Sequence, residues 1–172
     1  MAYYPGMPRK KQPSEALPWL TSEQELAWRS VANLVHKLRW ALECQLERDS
    51  GLSFIEYHAL ARLSEEADYR LRMSDLAAVT NASLSRLSHL VKRLESWGFV
   101  RREPDANDGR YTIAILTENG YAKLVASAPA HVRCVRELVI DAFSSAELKQ
   151  LQSLCDRIVA RIDTSEWKQE LT

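Results

Sequence analysis

A mainly α-helical fold carrying one small β-hairpin is what this sequence of 172 residues predicts. Three observations lead there. Only five glycines occur and helix formers dominate. Apolar residues recur at 3-4 spacing through most of the chain. One stretch alone, DANDGRYTIAILT at residues 105–117, joins a turn-rich tip to an alternating run. With 46% hydrophobic and 27% charged residues, the chain has the means to bury a core.

The first 18 residues contain Pro5, Pro8, Pro13 and Pro18 among polar spacers and read as an arm without regular structure. Thr21 and Ser22 precede Gln24 and Glu25 at capping-box spacing, so a helix starts there. Val31, Leu34, Val35, Leu38, Leu42 and Leu46 keep one apolar face to about Arg48, and Asp49-Ser50-Gly51 ends it. Ser53 with Glu56 opens a second helix, lined by Ile55, Ala59, Leu60 and Leu63. The polar stretch 64–70 reads as a connection. Ser74-Asp75 is expected to cap a short helix carrying Leu76, Ala77 and Val79, and Thr80-Asn81-Ala82 to turn the chain. Ser83 caps the next helix, whose stripe of Leu84, Leu87, Leu90, Val91 and Leu94 is expected to pack inward; Gly98 stops it. The residues 99–102 are a strand candidate, with the run after Arg110 as partner. Thr117 caps a long helix that Pro129 is expected to bend or break. Ser144 or Ser145 starts a last helix with Leu148, Leu151, Leu154, Ile158 and Ile162 on one face.

The zero net charge conceals a pattern: residues 1–11 carry +3, residues 12–68 carry −5, residues 69–111 carry +3 and residues 112–172 carry −1. A basic island between acidic flanks attracts phosphate locally, which the total charge cannot report. Cys44, Cys134 and Cys155 are odd in number and widely spaced, which argues against a disulfide framework. No apolar run is long enough to span a membrane and no leader pattern follows Arg9-Lys10-Lys11, so the expected location is cytoplasmic.

Helix, short helix, turn, helix and two strands around a loop make a winged helix-turn-helix. In that motif the second helix of the pair enters the major groove of double-stranded DNA. In ASLSRLSHLVKRLESWG the candidate DNA-binding residues are Ser83, Ser85, Arg86, Ser88, His89, Lys92 and Arg93. Small hydroxyls permit close approach; Arg and His read base edges; Lys and Arg also grip phosphate. The hairpin then holds Arg110 toward a minor groove, whose negative potential favours arginine. Asp108 is near enough to orient that guanidinium, and Gly109 permits a sharp turn.

Asp108-Gly109-Arg110, followed after six residues by Thr117, resembles the D-x-R…L-T wing signature of the MarR-type transcription regulators. SLSRLSHLVKRLESWGFVRRE is similar to that family's recognition helix and its run into the wing, with Arg93-Leu94-Glu95 and Gly98-Phe99-Val100 in register. The resemblance extends from about Thr21 to Ile162 and is strongest over residues 74–117. Arg86 and His89 stand where a small hydroxyl and an arginine are expected, a departure that bears on the preferred DNA sequence.

The resemblance implies an organisation: an N-terminal arm at 1–18, an N-terminal dimerisation helix at 19–50, a winged lobe at 51–116 and C-terminal dimerisation helices at 117–172. It also implies a homodimer on a pseudo-palindromic operator, repression of nearby genes, and release by a small aromatic or phenolic effector. Candidate liners of an effector pocket are His36, Trp40, Tyr57 and His58.

Plainer readings stand beside these. Arg86, Lys92 and Arg93 fit a solvated helix face, Arg110 a hairpin-tip charge paired to Asp108, and the four effector candidates ordinary core or interface positions. Arg9-Lys10-Lys11 fits either phosphate contacts or a solubilising tail. His131 and Cys134 share a helix face, yet no further ligand completes a metal site. Cys44 reads as a buried, inert thiol. No cofactor is implied. The chain lacks G-x-S-x-G, H-E-x-x-H, G-x-G-x-x-G and a phosphate-binding glycine loop, so an enzyme is not expected. A winged helix that binds another protein is the alternative; its recognition face would be apolar, whereas this one is polar.

Overall fold

Side-chain caps set most of the helix starts. The computed structural model describes residues 19–106 and 108–164, so the expected arm at 1–18 and the last eight residues lie outside the described residues. The chain divides into two units, one ending at Lys37 and one beginning at Leu38. Helix α1 is Ser22–Ser50. In the first unit, the Thr21 amide donates to Gln24 Oε1 (2.9 Å) and the Gln24 amide to Thr21 Oγ1 (3.3 Å), the expected reciprocal cap. Leu26, Trp28, Val31, Leu34 and Val35 of that unit are exposed.

In the second unit, α2 (Phe54–Glu65), α3 (Met73–Val79) and α4 (Leu84–Ser96) surround a three-stranded antiparallel sheet. Its strands are β1 (Arg70–Arg72), β2 (Val100–Pro104) and β3 (Thr112–Leu116), in the order β1-β3-β2. Leu71 and Arg102 flank Ala114 in the register. Leu60, Leu63, Leu76, Leu87, Val91, Leu94 and Ala114 are fully buried in one core. Ser53 and Glu56 form the predicted capping box on α2, and Ser83 caps α4. Gly98, at φ +73°, ends α4 in the left-handed conformation glycine tolerates best, and the Phe99 amide donates back to the Leu94 carbonyl (2.9 Å). Thr117 caps α5 (Glu118–Leu138); a 3₁₀ turn, Ile140–Ala142, leads to α6 (Ser145–Asp163), which Ser144 and Glu147 cap as a box.

Five expectations are corrected. The connection at 64–70 runs into a strand, β1, too short and too charged to show a period of two; β3 supplies the edge that orders it. Helix α3 begins at Met73 with Arg72 at its cap and no side-chain bond, so Ser74-Asp75 lies inside it. Of the bend or break expected at Pro129, the break does not occur: helix α5 is continuous through it. The carbonyl that proline leaves without a helical donor is that of Val125, an exposed residue. Leu84 is 55% exposed rather than packed inward, because the first turn of α4 projects past the core, and Val79 is exposed as well. Cys44 is exposed, since α1 turns Leu42, Gln45 and Leu46 inward at that level.

Candidate nucleic-acid interface

Burial of Leu87, Leu90, Val91 and Leu94 fixes the roll of α4. Ser85, Arg86, Ser88, His89, Lys92 and Arg93 are therefore all exposed. Ser83 is exposed too, but its hydroxyl accepts the Arg86 amide (3.3 Å) as the helix cap. Among the described residues Arg86 and Lys92 have no carboxylate partner, so their charges are uncompensated. Arg93 differs: its Nε donates to Glu56, and its guanidinium carbon lies 5.5 Å from the centre of the Trp97 ring.

The wing is built from paired charges. Arg102 donates to Glu95 through Nε (3.0 Å) and Nη2 (2.7 Å), tying β2 to α4. These bonds hold the Glu95 carboxyl below its usual range. Where the two wing strands open into the tip loop, Arg72 Nε donates to the buried Asp105 (2.8 Å), and its guanidinium carbon sits 4.8 Å from the centre of the Tyr111 ring. The Asp105 amide donates to the Tyr111 carbonyl (2.9 Å). At the tip, Arg110 donates to Asp108 from Nε (2.9 Å), Nη2 (2.6 Å) and its own amide (3.1 Å). Hydrogen bonds from Arg110 hold the Asp108 carboxyl below its ordinary value. The Arg110 side chain is nonetheless 83% exposed, so the pair aims the guanidinium without burying it. Gly109 has open space around it and no positive φ, so the turn makes no special use of its freedom.

Between α4 and the wing lies a cleft of about 440 Å³, lined by Leu84, Ser88, Arg102, Arg110 and Tyr111 among others. Arg72, Arg102 and Tyr111 were not singled out from the sequence. Alternation along β3 marks Tyr111, but Arg72 reaches the wing only through the pairing of β1 with β3.

The four effector candidates lie on α1 and α2. His36 belongs to the first unit and is exposed; Trp40, in the second, is exposed. Tyr57 is half-buried against His131, ring centres 4.5 Å apart, and His131 Nδ1 is 2.9 Å from Gln45 Oε1. His58 stacks on Phe54 of its own helix. Burial pushes the His58 and His131 rings below the usual histidine range. Among the described residues no group of three or more His, Cys, Asp or Glu is placed to hold a metal ion, and no helix is long and apolar enough to cross a membrane.

These features define a winged helix-turn-helix protein with a polar, partly uncompensated basic face beside an arginine-tipped wing. The family profile described as MarR family matches residues 50–110. Sco3205, a MarR family transcriptional regulator from Streptomyces coelicolor crystallised in complex with DNA, is 40% identical (TM-score 0.82), covering 89% of this chain and 95% of that one. AbsC, a MarR family transcriptional regulator from the same organism, is 37% identical (TM-score 0.81), covering 87% of this chain and 100% of that one. The HTH-type transcriptional regulator PecS of Dickeya dadantii is 31% identical over 108 residues, covering 62% of this chain and 64% of that protein. The chain spans less than two thirds of the curated relatives it matches. It belongs to the MarR family.

Proposed function

We propose that this chain is a dimeric, sequence-specific DNA-binding regulator that represses nearby genes and is released by a small effector. The observation that carries the reading is the polar face of α4, with Arg86 and Lys92 lacking a carboxylate partner among the described residues, set beside an exposed Arg110. That a relative at 40% identity was crystallised with DNA supports it. Two recognition helices enter successive major grooves about one turn (~10 bp) apart on a pseudo-palindromic site. Each Arg110 enters a flanking minor groove. Arg86→Ala is expected to cost about 1–3 kcal/mol of binding and to relax preference at one base position. Competition between single-base variants of the bound duplex measures this; an equal loss on every variant would mean that Arg86 touches phosphate alone.

The dimer rests on unpartnered apolar faces. Among the described residues helix α6 buries none of its own, and Leu154, Ile158 and Val159 lie exposed on it. An amphipathic helix whose apolar stripe is exposed among the described residues favours a partner there. Sedimentation at micromolar concentration is expected to return a dimer, and a monomer would remove the two-half-site arrangement.

Release requires an effector that binds the two forms of the dimer with affinities a few kcal/mol apart. A small aromatic or phenolic molecule is the proposed class, with His36, Trp40, Tyr57 and His58 as the positions to substitute.

A further inference from the structure

Glu56 is 1% exposed, and a carboxylate so deeply buried needs partners on both oxygens. One oxygen, Oε2, accepts the Ser53 amide (2.8 Å) and the Ser53 hydroxyl (2.7 Å), closing the cap of α2. The other, Oε1, accepts Arg93 Nε, 37 positions along the chain on α4. Trp97, one turn further on, covers the same guanidinium. Arg93 is thus held between a buried acid and an aromatic ring, unlike Arg86 and Lys92. The same α2 terminus is tied to α1, where Glu43 Oε2 accepts the Phe54 amide (2.9 Å).

Arg86, His89 and Arg93 occupy positions i, i+3 and i+7 and share one helix face. An anchor at Arg93 therefore sets the angle at which Arg86 and His89 meet the base edges. We propose that Arg93 is a positioning residue for DNA recognition: its ion pair with buried Glu56 fixes the recognition helix on α2, and it does not serve as a phosphate contact. This rests on the DNA-binding reading given above. Glu56 becomes a determinant of sequence preference although it cannot reach the DNA.

The test uses the full chain and two labelled duplexes, one selected by the wild-type protein from a randomised pool and one of random sequence, each titrated across a salt series. Random-sequence binding depends on phosphate charge, whereas selected-sequence binding also needs aligned base contacts. Glu56→Gln is expected to weaken the selected duplex about tenfold or more. Its binding to the random duplex and its salt slope are expected to stay at wild-type values. Arg93→Lys, which keeps the charge and loses the planar fork, is expected to do the same. The double variant is expected to be no worse than Glu56→Gln alone.

Wild-type affinity for Glu56→Gln would overturn the proposal. So would wild-type affinity for Arg93→Lys together with an Arg93→Gln salt slope lower by about 2 per dimer, the signature of two lost phosphate contacts. An equal loss on both duplexes, with a lower melting temperature, would also overturn it by showing a general structural role. If Glu56→Gln does not fold, Arg93→Lys decides. If the wild-type protein selects no duplex, the regulator reading fails separately, and amide exchange decides the anchor. Faster exchange over residues 84–96 in the free Arg93→Lys protein supports it, and unchanged exchange overturns it.

Discussion

Arg110→Ala is expected to weaken binding to a selected duplex on the order of a hundredfold, since the proposed dimer loses two such side chains and each well-placed arginine contributes about tenfold or more. The loss should extend across sequences, and the slope of log affinity against log salt should fall by roughly 1 for each arginine removed. The melting temperature should not move. The Arg110 side chain is 83% exposed, and what it leaves behind is an Asp108 free to take up water. Asp108→Asn separates aiming from contact. It keeps the arginine and removes the charge-assisted bonds that orient it, so its effect should be smaller than that of Arg110→Ala and of the same direction. Fluorescence anisotropy with wild type and both variants, in parallel salt series, measures all of this. Unchanged affinity for Arg110→Ala would remove the wing from the interface.

Gly120→Ala is expected to carry a large cost in stability. Glycine inside a helix is ordinarily a weakness, and alanine there gains roughly 0.5–1 kcal/mol. Here the sign reverses. A Cβ at Gly120 would lie 2.0 Å from the Phe99 carbonyl oxygen and 2.9 Å from its carbon, with Leu116 Cδ1 at 2.8 Å. Two of the three are backbone atoms, which cannot swing aside as a side chain does. The same junction is closed by the Thr117 hydroxyl, which donates to the Gly98 carbonyl (2.6 Å), and by the Thr117 amide, which donates to the Phe99 carbonyl (3.1 Å). The first turn of α5 is thereby pressed onto the turn between α4 and β2. Inserting a methyl must separate them, at a cost of about 3 kcal/mol or more. For a chain of this size that lowers the melting temperature by about 6–12 °C. Thermal unfolding followed by circular dichroism reads it, and a melting temperature at or above wild type would show that this close approach does not hold in solution.

The features the sequence determined by itself are those whose partners lie within one turn of each other. Ser53 with Glu56, Ser83 with the Arg86 amide, Thr117 with the Gly120 amide and Ser144 with Glu147 are all three residues apart, and each starts a helix where the reading places it. Asp108 and Arg110 are two apart and pair as expected. Chain geometry brings such groups together whatever the rest of the molecule does, so residue type and spacing suffice. The tertiary structure alone decided the rest. Strand β1 exists because the free edge of β3 accepts it. Arg72 meets Asp105 across 33 positions, Arg93 meets Glu56 across 37, and Gln45 meets His131 across 86. Leu84 belongs to the apolar stripe by periodicity yet faces the cleft, because the core ends one turn below it. Each of these depends on which surfaces are buried against each other, and burial is a property of the assembled lobe that no window along the chain contains.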